Sequence, residues 1–217
     1  MPTDFFSIPL WAELIAVALG ALQGALFAGT VPGRRVDLLG VARIGIGVAL
    51  GGSVLRDLIL NELPAVMRSN WYLPVAAGAA LGGMALQHFF SRVNPLIVTL
   101  DAVSIGLFGA IGTSKALALG VPAVPAIFVG ALSAVGGSVV RDVSLGLPIA
   151  FLQVGSLYAV AAGVGGVTLV VLSSLGVGTP LAALVAVIVT TAVRLAAVGF
   201  NWTVPEQRGL RSPPSGG

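Results

Sequence analysis

Gly51-Gly52-Ser53-Val54-Leu55-Arg56-Asp57 recurs almost unchanged as Gly136-Gly137-Ser138-Val139-Val140-Arg141-Asp142. From Gly51 to Gly136 the offset is 85 residues, and it also relates Gly24 to Gly109, Gly45 to Gly130, and Val-Ala-Ala-Gly at Val75 to the same four residues at Val160. One ungapped offset that links matches in three successive apolar segments signals an internal duplication. The composition around the motif says where such a duplicated unit lives. Hydrophobic residues make up 57% of the 217 residues and charged residues 9%, whereas a soluble domain carries about 25% charged residues to face water. A span of the hydrocarbon core takes about 20 apolar residues. The chain therefore reads as an all-α membrane protein with seven transmembrane helices and short connections.

Hydropathy, with Gly and Pro as punctuation, places the spans at Pro9 to Gly29, Asp37 to Leu60, Trp71 to Phe90, Leu96 to Leu119, Pro122 to Leu145, Phe151 to Leu175 and Thr179 to Phe200. The first repeat covers about 9–90, the second about 96–175, and the seventh helix (about 179–200) stands outside both. Residues 1–203 form a single transmembrane domain. Residues 204–217, rich in Pro, Gly and Arg, are expected to be a disordered cytoplasmic tail. Each repeat holds an odd number of spans, so the second copy enters from the opposite side, giving two inverted three-helix repeats. Trp11, Trp71 and Trp202 fall at span ends, where an amphipathic indole gains most.

The side holding the N-terminus is called A and the other B. Connections on B carry Arg34, Arg35 and Arg92, and the tail adds Arg208 and Arg211, while A carries Arg68. The positive-inside rule makes B cytoplasmic, so the chain is expected in the cell (inner) membrane with its N-terminus outside and its C-terminus in the cytoplasm.

Composition also excludes function classes. Cys is absent and His88 is alone, so thiol chemistry and a zinc site are not expected. No serine–histidine constellation and no pair of catalytic carboxylates is present, so the chain is not read as an enzyme. No cofactor is expected, and a net charge of +3 is no nucleic-acid footprint.

Gly-Gly inside an apolar span costs a helix about 1 kcal/mol per glycine relative to Ala. The pair followed by Ser is therefore expected to weaken the helix and free backbone groups beside a water-filled path. Gly51, Gly52, Ser53, Gly136, Gly137 and Ser138 are the candidate pathway residues. The competing reading is close helix packing, which is assigned to Gly20-x-x-x-Gly24 and Gly78-x-x-x-Gly82. Ionisable groups within a span face a partner or an aqueous path; interfacial snorkelling of the Arg-Asp pairs is the alternative. Arg56-Asp57 falls towards A and Arg141-Asp142 towards B, about 15 Å apart along the normal, so neither Arg is expected to reach the other pair. Adjacent Arg and Asp are not expected to share a helix face. Matched depth pairs Glu13 with Arg56 and Asp101 with Arg141, and puts Lys115 near the level of Asp57. Arg194 is expected to snorkel.

Leu100 to Leu117 (LDAVSIGLFGAIGTSKAL), followed by GALSAVGGSVVRD, Leu147-Pro148 and Leu157-Tyr158-Ala159, resembles the second repeat of the trimeric intracellular cation (TRIC) channels. It is most similar to their prokaryotic branch, some of whose relatives are described as glycine transporters. Ala21-x-x-Gly24, Asp37-x-x-Gly40 and GGSVLRD carry the resemblance in the first repeat, and the resemblance as a whole covers about Leu14 to Gly166. The resemblance implies a homotrimer in membrane lipid, a pore in each protomer between the kinked second and fifth spans, and permeant potassium and sodium. It gives the basic residue of the fourth span, here Lys115, a gating role. Ser53 and Ser138 stand where the family often has a third glycine, and the Lys-Glu-Val motif of animal members is absent, so lipid regulation is not implied. A secondary transporter of a small neutral solute such as glycine, and a non-conducting scaffold, remain as alternatives.

Overall fold

The structure, a computed structural model, describes residues 8–31, 37–89, 94–152 and 157–202. Arg34, Arg35, Arg92, the tail from 203 onward and the His88 side chain lie outside the described residues. Among the described residues eight α-helices follow in order: α1 (Leu10–Ala28), α2 (Leu38–Ile59), α3 (Ala65–Arg68), α4 (Tyr72–Phe89), α5 (Asn94–Ala118), α6 (Ala123–Ser144), α7 (Tyr158–Ser174) and α8 (Thr179–Gly199). There is no strand among the described residues. Five helices (α1, α2, α5, α6 and α8) are long and apolar enough to cross a membrane, while α4 and α7 are shorter apolar helices. The protein is an all-helical, multi-pass membrane protein.

Local chemistry explains the boundaries. Asp37 caps α2 by accepting a 2.7 Å hydrogen bond from the Gly40 amide, which satisfies one of the helix's orphan donors. The C-termini of α2 and α6 close in the same way. Asn61 (φ 54°) and Gly146 (φ 57°) enter the left-handed region, and the amides of Glu62 and Leu147 return to the carbonyls of Asp57 and Asp142. Left-handed caps of this kind bind the last carbonyls, which would otherwise lack partners near hydrocarbon. Two features depart from the hydropathy reading. The short helix α3 follows α2, and the sixth segment begins its helix at Tyr158 rather than Phe151. A 3-10 turn at Ala150–Leu152 occupies part of the apolar run that hydropathy assigns to the span.

α5 is the central helix, packed against α1, α6, α7 and α8, and α2 packs along α6. The direction of the repeats follows from the contacts. The C-terminal end of α2 lies beside the start of α1 and the end of α5, through Arg56–Glu13 and Lys115–Asp57. The C-terminal end of α6 lies beside the end of α1 and the start of α5, through Arg141 over Phe27 and Arg141–Asp101. α2 and α6 therefore run antiparallel, and the two repeats are inverted.

The glycine pairs do not break their helices: α2 and α6 run without interruption through Gly51-Gly52 and Gly136-Gly137. The expected weakening is not seen because the glycines form the helix crossing. A Cβ on Gly52 would lie 2.1 Å from the Ser133 carbonyl oxygen, and one on Gly137 would lie 2.4 Å from that of Val48. Backbone meets backbone there, and the contact offsets the helix-propensity cost of glycine. Gly20 and Gly24 also pack closely, against Ala49 and Val48, whereas Gly78 and Gly82 meet nothing within 4 Å inside this chain.

Candidate functional site

Two polar clusters flank the α2–α6 crossing, each built on one repeat and completed by a base from the helix that follows it. At the A end, Arg56 and Asp57 come from the last turn of α2, Glu13 from the first turn of α1, Tyr72 from the start of α4 and Lys115 from the end of α5. At the B end, Arg141 and Asp142 come from the last turn of α6, Asp101 from the first half of α5, Tyr158 from the start of α7 and Arg194 from the second half of α8.

The aspartates are the connectors. Asp57 Oδ1 accepts from Arg56 Nε and from Lys115 Nζ, each at 2.7 Å, and Oδ2 accepts from the Ala65 amide at 2.7 Å. Asp142 repeats this: Oδ1 accepts from Arg141 Nε at 2.9 Å and Oδ2 from the Ala150 amide at 2.7 Å. Each carboxylate thus clamps the segment that follows its helix. The adjacent Arg and Asp meet after all. Side chains one residue apart diverge around a helix, but the arginine Nε, three methylenes from the backbone, folds back across the last turn to reach Oδ1.

Glu13 receives Arg56 Nη2 at 3.3 Å and the Tyr72 hydroxyl. At the other end, Asp101 lies 3.8 Å from Arg141 Nη1 and 3.7 Å from Arg194 Nη2, and accepts from Gln23 Nε2 at 3.3 Å. The Arg141 guanidinium lies 4.0 Å above the Phe27 ring and that of Arg194 3.8 Å above the Tyr158 ring, stacking geometry that favours a cation. Arg56, Asp57, Arg141 and Asp142 are at most 2% exposed, so these charges are held by partners rather than by water.

The matched-depth pairs are brought together, and Lys115 reaches Asp57. Arg194 does not snorkel: it is 7% exposed and turned inward to Asp101 and Tyr158. The Asp101 carboxylate and the face of the Tyr158 ring give its charge partners inside the bundle. Ser53 and Ser138 are buried, with hydroxyls donated to the Leu50 and Val135 carbonyls of their own helices at 2.9 and 2.7 Å. Gly51 and Gly136 stand at the crossing beside Val140 and Gly52. Gln23, Phe27, Tyr72 and Tyr158 had no signal in the repeated motif. Tyr72 and Tyr158 are one residue out of the 85-residue offset, which hides them from an ungapped comparison. No group of His, Asp and Glu able to hold a metal occurs among the described residues.

Comparison with known proteins agrees with the duplicated architecture. A family described as "Glycine transporter" matches twice, over residues 10–88 and 98–174, one match to each repeat. Glu13 and Asp101 each lie three residues into their match. The UPF0126 inner membrane protein YadS of Escherichia coli is 29% identical over 198 residues, covering 90% of this chain and 94% of its own. A TRIC cation channel, solved to explain conductance, superposes with a TM-score of 0.78 at 29% identity, over 91% of this chain and 96% of its own. The TRIC trimeric intracellular cation channel orthologue of Rhodobacter sphaeroides superposes with a TM-score of 0.81 at 25% identity, over 89% and 98%. The matching family is described as a transporter and the two solved neighbours as channels, not as enzymes. The chain belongs to the glycine transporter family and has the fold of the TRIC channels.

Proposed function

We propose that the protein is a passive cation channel, permeable to potassium and sodium, with a pathway in each protomer along the antiparallel α2–α6 pair. The observation that carries this reading is the pair of buried charge clusters, alike in composition, at the two ends of one helix crossing. Ionisable groups buried within membrane helices pair with one another and mark ion paths, and inverted repeats place such paths at the interface between the repeats. The solved TRIC channels with which the chain shares its fold support the same reading. Ser53 and Ser138 supply oxygens at the crossing, and a cation that sheds part of its hydration takes such ligands. Lys115, paired with Asp57, is the gating residue in this reading, and Glu13, Asp101 and the Arg-Asp pairs hold the closed arrangement.

Seven membrane spans, a homotrimer in lipid, an outside N-terminus and a cytoplasmic C-terminus complete the proposal. A carrier of a small neutral solute such as glycine is the second reading, favoured by the description of the matching family. Planar-bilayer recording under a potassium gradient separates the two. Unitary currents that reverse near the potassium potential support the channel. Saturable glycine uptake by proteoliposomes without such currents supports the carrier.

A further inference from the structure

The two clusters share one helix. Asp101 and Lys115 stand fourteen residues apart on α5, which is about 21 Å along the axis and within about 40° of the same face. α5 therefore gives its acid to the B cluster and its base to the A cluster. In each cluster the first acid comes from the first helix of a repeat, the Arg-Asp pair from the second and the tyrosine from the third. The remaining base comes from the helix that follows the repeat: α5 after the first, α8 after the second. Each cluster holds two acids and two bases and is electroneutral. On this accounting Arg194 occupies the place at the B end that Lys115 occupies at the A end. The B end is the looser one, with its inter-helix ion pairs at 3.7 and 3.8 Å against 2.7 and 3.3 Å, and Arg194 Nε makes no hydrogen bond.

We propose that α5 couples the two clusters as a strut and that Arg194 is the B-end counterpart of Lys115, so that releasing either base loosens both ends of the α2–α6 pair. Removal of one base leaves its cluster with an unbalanced buried carboxylate, which draws water and frees that end of α5. The other end of α5 carries the opposite cluster's contact, and a rigid helix transmits the shift. The coupling acts on the pathway proposed above but is read without any current, so a carrier or a silent protein tests it equally well.

Because the chain has no cysteine, single cysteines report cleanly. Ala65→Cys and Ala150→Cys place thiols at the segments clamped by Asp57 and Asp142. Labelling by a membrane-impermeant methanethiosulfonate is followed in inside-out and right-side-out vesicles. Lys115→Gln is expected to speed labelling at position 65 by about tenfold and at position 150 by about threefold, and Arg194→Gln to do the reverse. Lys115→Arg and Arg194→Lys, which keep the charge, should return both rates towards wild type. Acceleration confined to the end that was changed overturns the coupling, and no acceleration at either end overturns both parts of the proposal. If Lys115→Gln does not assemble, Arg194→Gln still decides, since it must change the rate at position 65, across the protein.

Discussion

Replacing Gly52 with Ala should destabilise the protein even though Ala is the better helix former. The added Cβ would sit 2.1 Å from the Ser133 carbonyl oxygen, where ordinary contact begins at 3.4 Å, so α2 and α6 must part by more than 1 Å. The neighbour is backbone and cannot rotate away. Overpacking of this kind costs about 1–3 kcal/mol, against about 1 kcal/mol gained in helix propensity, so a net loss of up to about 2 kcal/mol is expected. Gly137→Ala meets the Val48 carbonyl oxygen at 2.4 Å and should behave alike. The double variant should lose less than the two single losses combined, because one separation of the helices relieves both contacts. Gly163→Ala, with nothing within 4 Å, is the control and should be neutral or slightly stabilising. The assay is the fraction of detergent-solubilised protein that stays monodisperse after graded heating. Wild-type behaviour of Gly52→Ala would refute backbone contact at the crossing and return the glycines to a hinge role.

Lys115→Ala should change the voltage dependence of opening more than the unitary conductance, because an elementary charge crossing the full field contributes about 2.3 kcal/mol per 100 mV. A sliding of α5 as a whole moves Lys115 and Asp101 together, and their opposite charges cancel; sensing then depends on Lys115 leaving Asp57. An unchanged open-probability curve would remove the sensor role. Topology is tested by cysteine labelling. Arg34→Cys and Arg92→Cys should react from the cytoplasm and Asn70→Cys from outside, and finding 34 and 92 on opposite sides would break the proposed span count.

Much of the architecture was legible because hydropathy and the inverted repeat act at the scale of whole spans, and depth along a span follows from residue count alone. That is why Glu13 meets Arg56 and Asp101 meets Arg141. What depends on rotation about a helix axis, or on backbone contact, was not legible. Propensity arguments priced Gly51-Gly52 as a weakness, but the gain from contact with Ser133 and Val140 appears only once α6 is in place. The inward turn of Arg194 depends on Tyr158 and Asp101, neither close to it in sequence. The apolar run Ile149 to Leu152 conceals the break before α7, since hydropathy does not distinguish a 3-10 turn from a span. The bases and first acids of the two clusters are out of the 85-residue register, so they were visible singly but not as equivalents.

The central claim is that the solute path runs along the α2–α6 pair within one protomer. Ser53 and Ser138, one turn before the two Arg-Asp pairs and both buried, are the residues proposed to line it. Ser53→Leu and Ser138→Leu together add apolar bulk without charge, and the decisive measurement is single-channel recording of that double variant after its oligomer has been shown to match wild type in size. Loss of potassium current in the assembled protein is the expected result. Wild-type current through the same assembled variant would place the path elsewhere and leave the repeated motif as a packing device.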